Sequence, residues 1–128
     1  MSIERLGGEG SGASGNIPYS KAVRAGDFVY LSGQIGFDEN GEVVTGGIAA
    51  ETRKTLQIIE ETLKLADCTL DDVIKTTVWL DDARDFGLFN KTYATFFPNG
   101  KPARSTVESK LMIDAKIEIE VVAYRPQS

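Results

Sequence analysis

The sequence has no histidine and one cysteine, Cys68, in 128 residues. Without histidine the side chain that most often moves protons near neutral pH is gone, and with it the Ser-His-Asp arrangement and the common zinc ligand sets. One cysteine forms no intrachain disulfide and excludes a site of several thiolates. No apolar run approaches the length of a membrane span, and the first residues lack the basic start and apolar core of a secretory signal, so the expected location is the cytoplasm. Basic charge is scarce: 14 Lys and Arg against 19 Asp and Glu leave −5. That balance disfavours nucleic acid as a partner, because a general binder needs a basic stripe to neutralise phosphates. Catalysis, if present, must run on carboxylate, guanidinium, phenol, hydroxyl, amine and backbone groups.

What is present reads as an ordinary globular chain, 41% hydrophobic and 26% charged. Its length fits a single domain over 1–128 that buries roughly two thirds of its unfolded surface. Residues 1–16 form a partly flexible glycine-rich segment after a short strand within Met1–Leu6. GSGASG at 10–15 matches GxGxxG letter for letter. That fingerprint needs a strand leading in and a helix starting on the glycines; Asn16-Ile17-Pro18 follows instead, so the stretch reads as a loop with no nucleotide.

Alternating segments Ser20–Ala25 and Phe28–Ile35 read as strands around Ala25-Gly26-Asp27, and Asn40-Gly41 signals a hairpin with a third strand near Glu42–Val44. From about Ile48 to Ala66, Leu56, Ile59, Leu63 and Ala66 recur at helical spacing, an amphipathic helix packed by one face. Cys68 just after it reads as a small filler, because no basic neighbour in sequence lowers its pKa. Val73–Leu80 alternates as a strand, with Trp79 a packing residue. Asp82 and Asp85 suit the start of a second helix, whose Phe86, Phe89, Asn90, Tyr93, Phe96 and Phe97 make an aromatic face read as core. Arg104–Ser109 and Lys116–Tyr124 then read as two adjacent, paired strands. Arg104, Thr106 and Glu108 share one face of the first; Glu118 and Glu120 oppose the apolar Ile117, Ile119, Val121 and Ala123 on the second. This order predicts an α+β fold, one mixed sheet with both helices on one face, and an oligomer that covers the other, partly apolar face.

PARSTVE at 102–108 and KIEIE at 116–120 occur with IPYSKAV at 17–23, YLSGQIG at 30–36, ETRKTLQIIEETLKLA at 51–66 and DDVIKTTVWL at 71–80. In these blocks, in this order, the chain resembles the RidA (YjgF) family of enamine/imine deaminases from about Ile17 to Tyr124. The resemblance implies a chorismate-mutase-like fold, a homotrimer with sheets facing inward, and ligand clefts between subunits. It implies hydrolysis of a small-molecule enamine or imine of a 2-keto acid, of the 2-aminoacrylate/2-iminopropionate type, to keto acid and ammonia, with no metal and no cofactor. It assigns Glu118 to orient and deprotonate water, Arg104 to hold the substrate carboxylate, and Tyr19 to the water or imine nitrogen. Gly33 and Thr106 become binding contacts through backbone groups.

The guanidinium fork suits a carboxylate and stays charged at any working pH. Ser32 and Ser105 lack a base to activate them and read as structural hydroxyls. The chain departs from the family pattern at Ile17, where many members have Gly, in its long glycine-rich leader, and in an Arg104 to Glu118 link about one residue short. Two other readings stand beside the deaminase: a noncatalytic metabolite-binding or chaperone-like trimer, and an endoribonuclease, which the charge disfavours.

Overall fold

The structure is a computed structural model that describes residues 3–8 and 18–127; Ile17, the GSGASG stretch and most of the glycine-rich segment expected at 1–16 lie outside the described residues. Six strands form one mixed sheet: β1 (Ile3–Leu6), β2 (Ala22–Ala25), β3 (Phe28–Leu31), β4 (Val73–Leu80), β5 (Ala103–Glu108) and β6 (Ile117–Tyr124). Helix α1 (Gly47–Lys64) joins β3 to β4, and a 3-10 turn followed by α2 (Phe86–Ala94) joins β4 to β5. The sheet order is β1-β2-β3-β6-β4-β5. This is the α+β arrangement expected, with both helices on one face of the sheet.

The apolar period explains the layering. Leu56, Ile59 and Leu63 lie one helical turn apart and are fully buried against Val29, Val78, Ile117, Ile119, Val121 and Ala123 from the sheet. Complete burial of such side chains stabilises by about 1.5–3 kcal/mol each. α1 begins without a side-chain cap: Gly46 at its N-cap has φ 120, and a Cβ there would meet that of Ala50 at 2.8 Å. Glycine is therefore required at this entry. Asp82 caps the turn before α2 by accepting from Arg84 N at 2.9 Å, and this bond with the Arg84 side chain pulls its carboxyl down to about 2.

The expected pairing of the last two strands is corrected by the topology. β5 pairs in parallel with β4, while β6 pairs antiparallel with both β4 and β3. The crossover through α1 leaves a gap between β3 and β4 that β6 fills, so β5 takes the outer edge of β4. The eight-residue connection from Ser109 to Lys116 is long enough to pass the end of β4, as a two-residue hairpin turn would not be. The third strand expected near Glu42–Val44 is likewise reduced to a single bridge between Phe37 and Val43. Asp38 Oδ1 accepts from Asn40 N at 2.9 Å and Glu42 N at 3.0 Å, so these amides are already used by the turn.

Two buried charges brace the frame. Arg24 is 5% exposed and donates to the Ala66, Arg125 and Gly26 carbonyls at 2.7, 3.0 and 3.2 Å. It links β2 to the end of α1 and to the C-terminal segment with no carboxylate paired to it among the described residues. Glu51, on the first turns of α1, accepts from Lys116 N at 2.8 Å and anchors the entry to β6; burial pushes its carboxyl above the usual range. Cys68 is buried as expected for a filler. Burial pushes its thiol up, and the nearby Asp72 adds to this.

Candidate active site

The sheet register sorts the candidate residues onto two faces. Arg104 lies opposite Thr76, which pairs on its other side with Val121; both partners are buried beneath the helices. Thr106 lies opposite the buried Val78 and so shares the helix face with Arg104. Glu118 lies opposite Trp79, three residues further along β4 than Thr76. An odd step along a strand reverses the face. Glu118, Glu120 and Trp79 therefore occupy the open face, and β4 runs between Glu118 and Arg104.

On the helix face, the Arg104 guanidinium carbon lies 4.9, 5.2 and 5.7 Å from the ring centres of Tyr93, Phe89 and Phe86. α2 presents these rings at steps of three and four, the spacing that puts them on one stripe. Tyr93 Oη and Thr76 Oγ1 share a buried hydrogen bond of 2.8 Å that fixes the ring from below. Burial raises the Tyr93 pKa, against the opposing effects of that bond and of the Arg104 charge. Among the described residues no salt bridge involves Arg104, and the Tyr93 hydroxyl is its hydrogen-bonding neighbour. A half-buried cation stacked on π faces, with no carboxylate paired to it among the described residues, is prepared for an anion. A depression of about 360 Å³ opens beside it, lined in part by Asn90, Tyr93 and Phe97. The Thr106 Oγ1 is buried without a partner close by.

The second group forms around the segment after β3. Gln34 N donates to Ile119 O at 2.8 Å and Ile119 N to Gln34 O at 3.0 Å, holding this segment against β6. Gly33 is thereby pressed onto Glu118, and a Cβ there would overlap Glu118 Oε2. Ser32 N and Gln34 N have backbone partners, whereas the Gly33 N–H between them has none among the described residues. Ser32 Oγ donates to Ser20 O at 2.7 Å, a structural hydroxyl as expected, and so ties the residue after Tyr19 to the residue before Gly33. Tyr19 is 52% exposed. Burial raises the Glu118 carboxyl above its ordinary range, and the charge of Glu120 raises it further.

The structure thus brings Gly33 and Glu118 together on one side and Arg104 and Thr106 on the other, with Tyr19 exposed next to the Ser20 that Ser32 holds, and within one chain it does not bring the two sides together. The aromatic cradle was missed by sequence reasoning, which assigned those rings to the core. Phe89 and Tyr93 are indeed buried, but Phe86 is exposed. A ring at the exposed start of an otherwise buried stripe, with an arginine on the strand that follows, was the available signal.

Fold and residues together define a single-sheet protein whose edge strand carries a half-buried arginine stacked on aromatic rings and whose open face carries a carboxylate raised by burial. Comparison with known proteins gives the family. The family model described as Endoribonuclease L-PSP matches residues 13–125, and the chain belongs to this family, that of the RidA/YjgF proteins. A RutC family protein of Pyrococcus horikoshii is 47% identical over 110 residues, 84% of this chain and 87% of the relative. The human protein named 2-iminobutanoate/2-iminopropanoate deaminase is 43% identical over 110 residues, 84% of this chain and 80% of its own. Among solved structures, the YjgF gene product of E. coli superposes with a TM-score of 0.82 at 35% identity, covering 94% of this chain and 96% of that one. Yeast Mmf1 gives a TM-score of 0.86 at 31% identity, with 97% and 99% covered.

Proposed function

We propose that this protein hydrolyses enamine and imine intermediates of 2-keto acids, of the 2-aminoacrylate/2-iminopropionate type, to the keto acid and ammonia. The observation that carries the reading is the half-buried Arg104 guanidinium, seated on three rings and without a carboxylate partner among the described residues. Support comes from the relatives that bear the deaminase name at 41–43% identity.

The chemistry asks little of the protein. A protonated imine is already an electrophile at its C=N carbon, so it needs a fixed orientation and one proton acceptor. Arg104 fixes the carboxylate through two parallel N–H bonds. Glu118 orients a water and takes one of its protons as the oxygen bonds to the carbon. The proton passes to the nitrogen, the C–N bond breaks and ammonia leaves, and the hydroxyl proton is given up through Glu118 as the carbonyl forms, ending on the ammonia as ammonium. A pKa above the usual carboxylate range makes Glu118 a better acceptor than a solvated glutamate. Tyr19 hydrogen-bonds the water or the imine nitrogen, and the unpartnered Gly33 N–H is free to donate to the substrate. No metal or other cofactor enters these steps, and the protein acts in the cytoplasm.

Because the two groups of residues lie on opposite faces of the sheet, one cleft can hold both only between two chains. A homotrimer provides this, with the edge strand β5 of one subunit set against the open face of the next. The open face supports it: Phe28, Tyr30, Tyr124 and Val107 are exposed large hydrophobics, more than a monomer leaves in water without reason. RNA as the substrate is disfavoured by the net charge of −5.

The test is keto-acid release from freshly generated imines by wild type, Arg104→Ala, Arg104→Lys and Glu118→Gln. Arg104→Ala should weaken keto-acid binding by about 1.5–3 kcal/mol, and Lys should not restore it, because a point charge does not reproduce the fork. Glu118→Gln should lower turnover about 10²–10⁴-fold with little change in keto-acid binding. Wild type that binds keto acids yet releases no ammonia from any imine would support the noncatalytic reading instead.

A further inference from the structure

The depression beside Arg104 holds a second cation. Lys101 lines it together with Asn90, Tyr93, Phe97 and Arg104, and no Asp or Glu does. Neither Lys101 nor Arg104 takes part in an ion pair among the described residues. In a chain of net charge −5, two cations line one recess whose lining holds no carboxylate, so their mutual repulsion is not offset by an opposite charge there. An anion bound between them relieves both. The recess measures about 360 Å³, which is ample for a short-chain metabolite when a water takes a share of about 30 Å³. Three residues of chain, at most about 10 Å, separate Lys101 from Arg104, and Pro102 holds the intervening backbone extended.

A monocarboxylate uses only one of these charges. We propose that Lys101 makes the recess a site for the imine of a 2-keto dicarboxylic acid. Arg104 takes the carboxylate next to the C=N carbon and Lys101 takes the distal one, with the Asn90 amide able to donate to either. The reaction is the one already described: water adds to the C=N carbon, ammonium leaves, and the second carboxylate is a spectator that sets specificity. This rests on the reading of Arg104 as the anchor of the reacting end.

The exposed setting of Lys101 limits what its charge contributes. Exposed pairs are worth up to about 1 kcal/mol, or roughly fivefold in affinity. The experiment is calorimetric titration of the full chain with 2-oxoglutarate and with 2-oxobutanoate, product analogues that differ in the second carboxylate. Wild type should bind the dicarboxylate about three- to fivefold more tightly at low salt, and the preference should shrink as salt is added. Lys101→Gln should bring the ratio to about one, and Lys101→Glu should invert it. Arg104→Ala should weaken both ligands. Wild type that binds both ligands equally, or a preference that survives in Lys101→Glu, overturns the proposal and leaves the Arg104 site standing. Binding of neither ligand overturns the anchor itself, and the proposal with it.

Discussion

Gly33→Ala separates the chemistry of Glu118 from the stability of the fold. Gly33 is not among the residues with positive φ, so alanine fits its backbone, and the loss of unfolded-state freedom should stabilise by about 0.4–1 kcal/mol. Against this, the new Cβ overlaps Glu118 Oε2 and lies 3.1 Å from its Cδ and 3.3 Å from its Cγ. The carboxylate is the end of a flexible side chain and can swing away, at a cost of about 0.5–1.5 kcal/mol if it leaves its rotamer well. The two effects nearly cancel, so the unfolding midpoint should move by less than the equivalent of about 1 kcal/mol. Activity should behave otherwise. A displaced carboxylate no longer holds the water, so keto-acid release should fall toward the level of Glu118→Gln, about 10²–10⁴-fold below wild type. The double variant Gly33→Ala/Glu118→Gln should then be no worse than either single one, because both remove the same step. Denaturant unfolding with single-turnover kinetics checks all three variants. Gly33→Ala with full activity, or losses that simply add in the double variant, would refute the link between this glycine and the reacting carboxylate.

Tyr93→Phe removes one partner of the buried 2.8 Å bond to Thr76 while keeping the ring under Arg104; it should destabilise by about 1–3 kcal/mol in denaturant unfolding and leave keto-acid affinity within about twofold. Phe89 is fully buried, so Phe89→Ala should cost about 3–5 kcal/mol and, by removing part of the cradle, should also weaken keto-acid binding. Glu51 and Glu118 both have carboxyls raised by burial, so the folded state holds their protons to higher pH than the unfolded chain does, and their contribution to stability falls as pH rises from about 4.3 through the raised values. The stability of Glu51→Gln or Glu118→Gln relative to wild type should accordingly be greater at pH 7 than at pH 4, and a pH-independent difference in thermal unfolding would contradict this. By the same shift, the acid limb of activity should lie above the ordinary glutamate range. Sedimentation equilibrium should give three chains per particle, and a stable monomer at micromolar concentration would leave the two groups of site residues without a common cleft.

Periodicity was enough to read the elements, because each strand and helix buries one side and so writes its period into the sequence. Leu56, Ile59 and Leu63 marked α1, and the alternation from Ile117 to Ala123 marked β6. Turn chemistry was legible in kind but not in extent: Asp38 to Gly41 turns as read, yet the Asp38 carboxylate takes the amides that a third strand would have needed. Residue-by-residue resemblance supplied Arg104, Glu118, Tyr19, Gly33 and Thr106, which composition and spacing alone did not single out. What the chain could not show locally was which strands become neighbours. β6 inserts between β3 and β4 because the α1 crossover leaves that place open, and this one long-range choice puts β4 between Arg104 and Glu118. The partners of Arg24, the overlap of Gly33 with Glu118 and the seating of Arg104 on Phe86, Phe89 and Tyr93 are also contacts between distant segments. Local sequence encodes which face a side chain takes; only the packed sheet decides what it meets there.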